Sequence, residues 1–174
     1  MQSNVNATPE MLVEELASTT GWKAYIVLSK SGPEALTAIR EGLRHGNWHV
    51  RKKCADLLDH LADERCMENL VQATRDPMGR VRGSAIHSLA CQKCKLKPLP
   101  VDGIMLFIDA LNDKSIKVRR SAVLGLCTWE QADIRAWEAL YRILVHEKDL
   151  KMVRHAHWGI RRHESVALEK VRKV

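Results

Sequence analysis

The chain has 174 residues, 45% of them apolar and 28% charged, which suits one domain with a continuous core and excludes wholesale disorder. Its formal net charge of +7 favours an acidic partner, either nucleic acid or an acidic protein surface. No apolar run reaches the length of a membrane span, the first nine residues carry no apolar signal core, and five cysteines do not suit a paired disulfide framework, so a reducing, cytoplasmic setting is the expectation.

In chain order, the predicted elements begin with a capping region, residues 1–31. Thr8-Pro9-Glu10 opens a helix carrying Met11, Leu12 and Leu16, and Trp22, Tyr25 and Ile26 form a second apolar patch after Gly21. From residue 32 two kinds of amphipathic segment alternate, termed A and B helices. The first A helix starts at Gly32-Pro33-Glu34, with proline early in the first turn and an acid at the positive end of the helix dipole. Its apolar residues Leu36, Ile39 and Leu43 share one face at i, i+3 and i+7. The first B helix is placed at 48–62. Cys66, Leu70 and Ala73 mark the second A helix, followed by a B helix at 79–92. Lys97-Pro98-Leu99-Pro100 breaks the chain before the third A helix, with Ile104, Ile108 and Leu111, and its B helix at 115–128. The fourth A helix shows the stripe Ile134, Trp137, Tyr141 and Leu144, and its B helix is placed at 150–162. A final helix, Glu164 to Lys173, carries Val166, Leu168 and Val171 and closes residues 163–174. Four repeats thus occupy residues 32–162 of a single domain, 1–174, between two caps.

One phrase ties the B helices together. Val50-Arg51, Val81-Arg82, Val118-Arg119 and Val153-Arg154 recur at spacings of 31, 37 and 35 residues. A small residue follows the valine by four (Cys54, Ala85, Ala122) and a leucine by eight (Leu58, Leu89, Leu126), with His157 and Arg161 as exceptions in the fourth copy. Positions i, i+4 and i+8 share a face, and the small residue lets two helices approach closely. Asp76, Asp113 and Asp149 precede their helices where an N-cap belongs.

The stretches 76–85, Asp-Pro-Met-Gly-Arg-Val-Arg-Gly-Ser-Ala, and 113–122, Asp-Lys-Ser-Ile-Lys-Val-Arg-Arg-Ser-Ala, resemble the HEAT repeat family, especially the HEAT-like repeats of phycobilin lyase-type and related bacterial proteins. The resemblance covers about residues 32–162. It implies an all-α solenoid, a right-handed superhelix of antiparallel helix pairs. It also implies that the arginines Arg51, Arg82, Arg119 and Arg154 reach the loop aspartates of neighbouring repeats, a structural duty rather than a phosphate ladder.

Function is then expected on the exposed side of the B helices. Residues placed there include Lys52, Arg80, His87, Lys117, Arg120, His155 and Arg162, a basic edge diluted by Asp56 and Asp59. The leading expectation is a non-enzymatic scaffold that binds an acidic protein or peptide on its concave face. Nucleic-acid binding by the basic edge is the alternative. A HEAT-like glycosylase or lyase is a third reading, carried for the glycosylase by Trp129 and Asp133 at i, i+4. No cofactor is expected. Cys91 and Cys94, with His87 and Cys127 nearby, make one C-x-x-C, too few ligands for a structural zinc site. Phosphate-loop, nucleophile-elbow and metalloprotease motifs do not occur.

Overall fold

In the computed structural model, which describes residues 7–91, 95 and 100–172 (the side chains of 170–172 excepted), helix and turn alternate and the described residues contain no strand. Two capping helices, α1 (Pro9–Glu15) and α2 (Gly21–Lys30), precede the repeats. The A helices are α3 (Pro33–Gly42), α5 (Met67–Ala73, entered through a 3₁₀ turn at Glu64–Cys66), α7 (Gly103–Ala110) and α9 (Ile134–His146). The B helices are α4 (Trp48–Leu61), α6 (Gly79–Ala90), α8 (Ile116–Thr128) and α10 (Leu150–Gly159). A 3₁₀ turn, Ile160–His163, leads into α11 (Glu164–Arg172). The B helices stack in sequence, α4 on α6, α6 on α8 and α8 on α10, each backed by its own A helix. This is the helical-repeat solenoid that the sequence implies.

The repeat phrase supplies the core. Val50, Cys54 and Leu58, Val81, Ala85 and Leu89, and Val118, Ala122 and Leu126 are all buried. The fourth repeat is read differently by the fold. There Met152 and Ala156 are buried, while Val153 is half-buried and His157 exposed. The N-cap explains the shift. Asn47, Met78, Ser115 and Asp149 are the four N-caps, and the first core residue follows each by three: Val50, Val81, Val118, Met152. Helix geometry counts from the cap, so Val153-Arg154 is one residue out of phase with the other three pairs.

Only Asn47 and Asp149 cap through their own side chains, accepting from the backbone N–H of His49 and Met152. Asp76 and Asp113 are not caps. Each lies two residues earlier and accepts the N–H of the cap residue, Met78 or Ser115, in an Asx turn.

Those two carboxylates also receive the arginine of the preceding repeat. Arg51 donates to both oxygens of Asp76 at 2.6 and 3.1 Å, and Arg82 to both of Asp113 at 2.6 and 2.8 Å. The remaining guanidinium nitrogen holds the arginine's own entry loop, through the carbonyls of His45 and Gly46 for Arg51 and of Asp76 and Pro77 for Arg82. The third link departs from expectation. Arg119 donates only to its loop carbonyl, that of Asp113, and Arg120 pairs with Asp149 at 2.6 and 3.1 Å. Asp149 is itself the cap, two positions nearer its helix than Asp76 or Asp113, and the arginine that reaches it lies one position further along α8.

Small residues decide two further faces. In α9 the buried side is Ala136, Ala139, Leu140 and Ile143, while Trp137 and Tyr141 stack on each other outside, 5.2 Å apart and nearly parallel. In α2 the buried residues are Gly21, Ala24 and Leu28, and Trp22 and Ile26 are exposed. At the far end His163 is wholly buried. Its Nδ1 accepts the N–H of Asp133, which leaves Nε2 as the protonated nitrogen donating to the Leu126 carbonyl, so one imidazole joins the ends of α8 and α10 to the start of α9.

Removing one partner of a buried charge pair strands the other, at a cost of about 3 kcal/mol. Arg82→Ala should lower the unfolding free energy by about that amount in urea titration, and Arg120→Ala by less, because 37% of the Arg120 side chain is open to water against 9% of Arg82.

The guanidinium of Arg82 holds the Asp113 carboxyl below its ordinary value, and Arg120 holds Asp149 at about 2. A depressed folded pKa contributes stability that is complete above the unfolded value, near 4, and lost as pH falls through the folded one. Tm measured against pH should therefore drop between about pH 4 and pH 2, less steeply in Arg82→Ala.

Candidate binding groove

Counting from the caps, the residues on the outer side of the B layer fall into rows. Two residues after the cap stand His49, Arg80, Lys117 and Lys151; five after it, Lys52, Gly83 (itself buried), Arg120 and Arg154; nine after it, Asp56, His87, Leu124 and Trp158. The rows border two neighbouring recesses that share His87 and are together termed the two halves of a groove across the B helices. Its first half, about 500 Å³, lies between Lys52 and Asp56 of α4, Arg80, Gly83 and His87 of α6, and Lys117 and Ser121 of α8. Its second half, about 360 Å³, lies between His87 and Ala90 of α6, Leu124 and Thr128 of α8, and Trp158 and Arg162 near the end of α10. His87 borders both.

The two halves differ in chemistry. The first is walled by cations: Arg80 and Lys117 are exposed, and Arg80 lies over the Trp48 ring at 5.4 Å. Lys52 there is ion-paired with Asp56 one turn on. The second is apolar, floored by Ala90 and Leu124 and sided by Trp158, which is 57% exposed, with the Arg162 guanidinium 5.9 Å from the indole centre. Beneath the end of α6 the Lys95 ammonium is buried and donates to the carbonyls of Asp59, Ser88 and Cys91; burial holds its pKa down to about 8. It acts as the C-terminal cap of α6, a role the sequence reading does not assign.

Of the seven residues expected on this face, the fold brings Lys52, Arg80, His87, Lys117 and Arg162 to the groove. The other two do not line it. Arg120 is committed to Asp149, and His155, displaced by the register of α10, is half-buried with its Nδ1 turned inward, while its backbone carbonyl accepts from Cys127 Sγ. The ninth position after the cap is outward, but the twelfth is not: Asp59, Ala90 and Cys127 are buried between adjacent B helices. Sequence reasoning passed over Leu124, Ser121 and Trp158 as site residues. Cap-based counting is the signal that aligns Trp158 with His87 and Leu124.

Other expected chemistry is accounted for by packing. Trp129 is half-buried edge-on to Phe107 at 5.8 Å, and Asp133 caps α9 and is gripped by Arg135, which pulls its carboxyl below the usual range. Neither lines the groove. Cys54, Cys66 and Cys127 are free and buried, and burial pushes the Cys54 and Cys127 thiols up to about 12. Cys91 is disulfide-bonded, where the reducing setting expected from the sequence would leave a thiol; Cys94 lies outside the described residues. Among the described residues no three histidine, cysteine or acidic side chains are grouped to hold a metal ion, and no helix is long and apolar enough to cross a membrane.

No family model and no curated protein matches the chain. Solved structures do. A chain in the complex of CpcE and CpcF of phycocyanin lyase from Nostoc sp. PCC7120 is similar with a TM-score of 0.73 and 16% identity, over 87% of this chain and 96% of that one. Two engineered proteins are similar with TM-scores of 0.60 and 0.59, at 20% and 19% identity, over 90% and 97% of this chain and 79% and 90% of theirs. At such identities the likeness is one of fold, and it places the chain among the helical-repeat solenoids.

Proposed function

We propose that the chain is a non-enzymatic binding module whose B-helix groove receives an acidic segment of a partner protein. The observation that carries this reading is the pairing of exposed Arg80 and Lys117, from adjacent helices, on the wall of one groove. Neither cation takes part in an ion pair among the described residues, in contrast to Arg51, Arg82 and Arg120. Charges left unpaired on a groove wall steer and orient a partner of opposite sign. Asp56 and Glu130 line the same groove, and its second half is apolar. Both features suit a peptide of mixed character better than a continuous phosphate backbone. The similar chain of phycocyanin lyase works in a complex of two proteins, CpcE and CpcF, which is in keeping with a protein partner.

Charge reversal tests the reading. A labelled acidic peptide, titrated by fluorescence anisotropy, should bind the Arg80→Glu, Lys117→Glu double variant at least ten-fold more weakly than the unaltered protein. Arg142→Glu, a matching exposed change on α9, should leave its affinity in place. Equal binding by the double variant would place the contact on another face, and preference for a DNA duplex, with a steep loss of affinity in salt, would replace the peptide by nucleic acid.

A further inference from the structure

Gly83 is a buried helical glycine at which an added Cβ would find room. It sits in the interior of α6, where glycine costs up to about 1 kcal/mol relative to alanine. Other helical glycines have a packing reason. A Cβ on Gly125 would press on the Phe107 ring at 3.0 Å, and one on Gly159 would collide with Cys127 Sγ. A Cβ on Gly83 would meet only Val118 and Ser121, at 3.9 and 4.0 Å, which is ordinary contact. Yet Gly83 occupies the row in which Lys52, Arg120 and Arg154 project side chains, and with Ser84 and Ser121 it forms the floor of the basic half of the groove. A side chain larger than that of alanine, starting from this buried position, would have to extend into the groove or displace Val118 and Ser121.

The apolar recess gives the second, independent observation. It offers about 360 Å³ between Leu124 and Trp158, enough for one aromatic or branched aliphatic side chain, and Arg162 stands over its rim. Lys117 and Leu124 are seven residues apart on α8, about 10 Å along the axis. An extended peptide covers that distance in about three residues.

Resting on the binding-module reading, we propose that the occupant is an extended acidic peptide whose backbone crosses Gly83, with an apolar side chain seated between Leu124 and Trp158 and a carboxylate three or four residues away on Arg80 and Lys117. The two halves of the groove then read two features of one segment: the recess takes the apolar anchor, which gives affinity, and the cations take the acid, which fixes direction and register.

The test uses synthetic decapeptides in which one site is Phe or Ala and the residues three and four positions to its N-terminal or C-terminal side are Glu or Gln, titrated by anisotropy against the full chain. One Phe–Glu arrangement should bind at least ten-fold more tightly than both its Phe→Ala and its Glu→Gln counterparts. Gly83→Leu should abolish that preference. Gly83→Ala, which the backbone accommodates, should raise Tm by about 2 °C and still weaken binding several-fold, so loss of binding cannot be assigned to misfolding. If Glu-containing peptides bind through Arg80 and Lys117 but Phe and Ala are equivalent, or if Gly83→Leu binds as the unaltered protein does, the anchor-and-floor proposal is overturned and the module reading survives. If no decapeptide binds, or an oligonucleotide displaces all of them, both fall.

Discussion

The stack depends on one interaction repeated with variations: a guanidinium that grips its own entry loop with one nitrogen and the carboxylate of the next repeat with two others. Arg82 illustrates the economy of this arrangement. Its side chain is nearly buried, so its charge could not stand alone, but the Asp113 carboxylate and two loop carbonyls satisfy its donors. Because Asp113 simultaneously accepts the Ser115 N–H, the same contact fixes where α8 begins. Helix start, inter-repeat spacing and groove geometry are thereby coupled, and every outward row of the B layer inherits its alignment from the loops beneath.

That coupling also explains what could be read in the sequence. The positions of α4, α6 and α8 are legible because valine, a small residue and leucine recur at one helical face, and the duties of Arg51 and Arg82 are those the HEAT-repeat resemblance implies, with aspartates at the matching places. The fourth repeat was misread by one residue. Val153-Arg154 imitates the phrase, but Asp149 caps α10 directly and brings Met152 and Ala156 to the core instead. Arg120 is drawn to Asp149 and His155 turned inward for the same reason: loop length sets the phase of a helix, and the phrase alone does not carry loop length.

A second class of misreading concerns size. Large apolar residues draw attention to a stripe, yet α2 buries Ala24 and Leu28 rather than Trp22 and Ile26, and α9 buries Ala136 and Ala139 rather than Trp137 and Tyr141. Closely approaching helices select small side chains at the contact, and aromatic residues with a polar edge tolerate the rim. The groove was half visible by the same logic. Its cations stood out as charges, whereas Gly83, Leu124 and Trp158 became meaningful only once the caps aligned them.

The links are not equally firm. Between α6 and α8 the pair is shielded from water; between α8 and α10 the Arg120 guanidinium is open to it, and water competes for Asp149. Gly159 meanwhile lies directly on Cys127, a contact without side-chain interlock on one side. The apolar half of the groove therefore stands on a joint whose ion pair is open to water, and whose remaining attachment is buried: Cys127 on the His155 carbonyl and His163 on the Leu126 carbonyl.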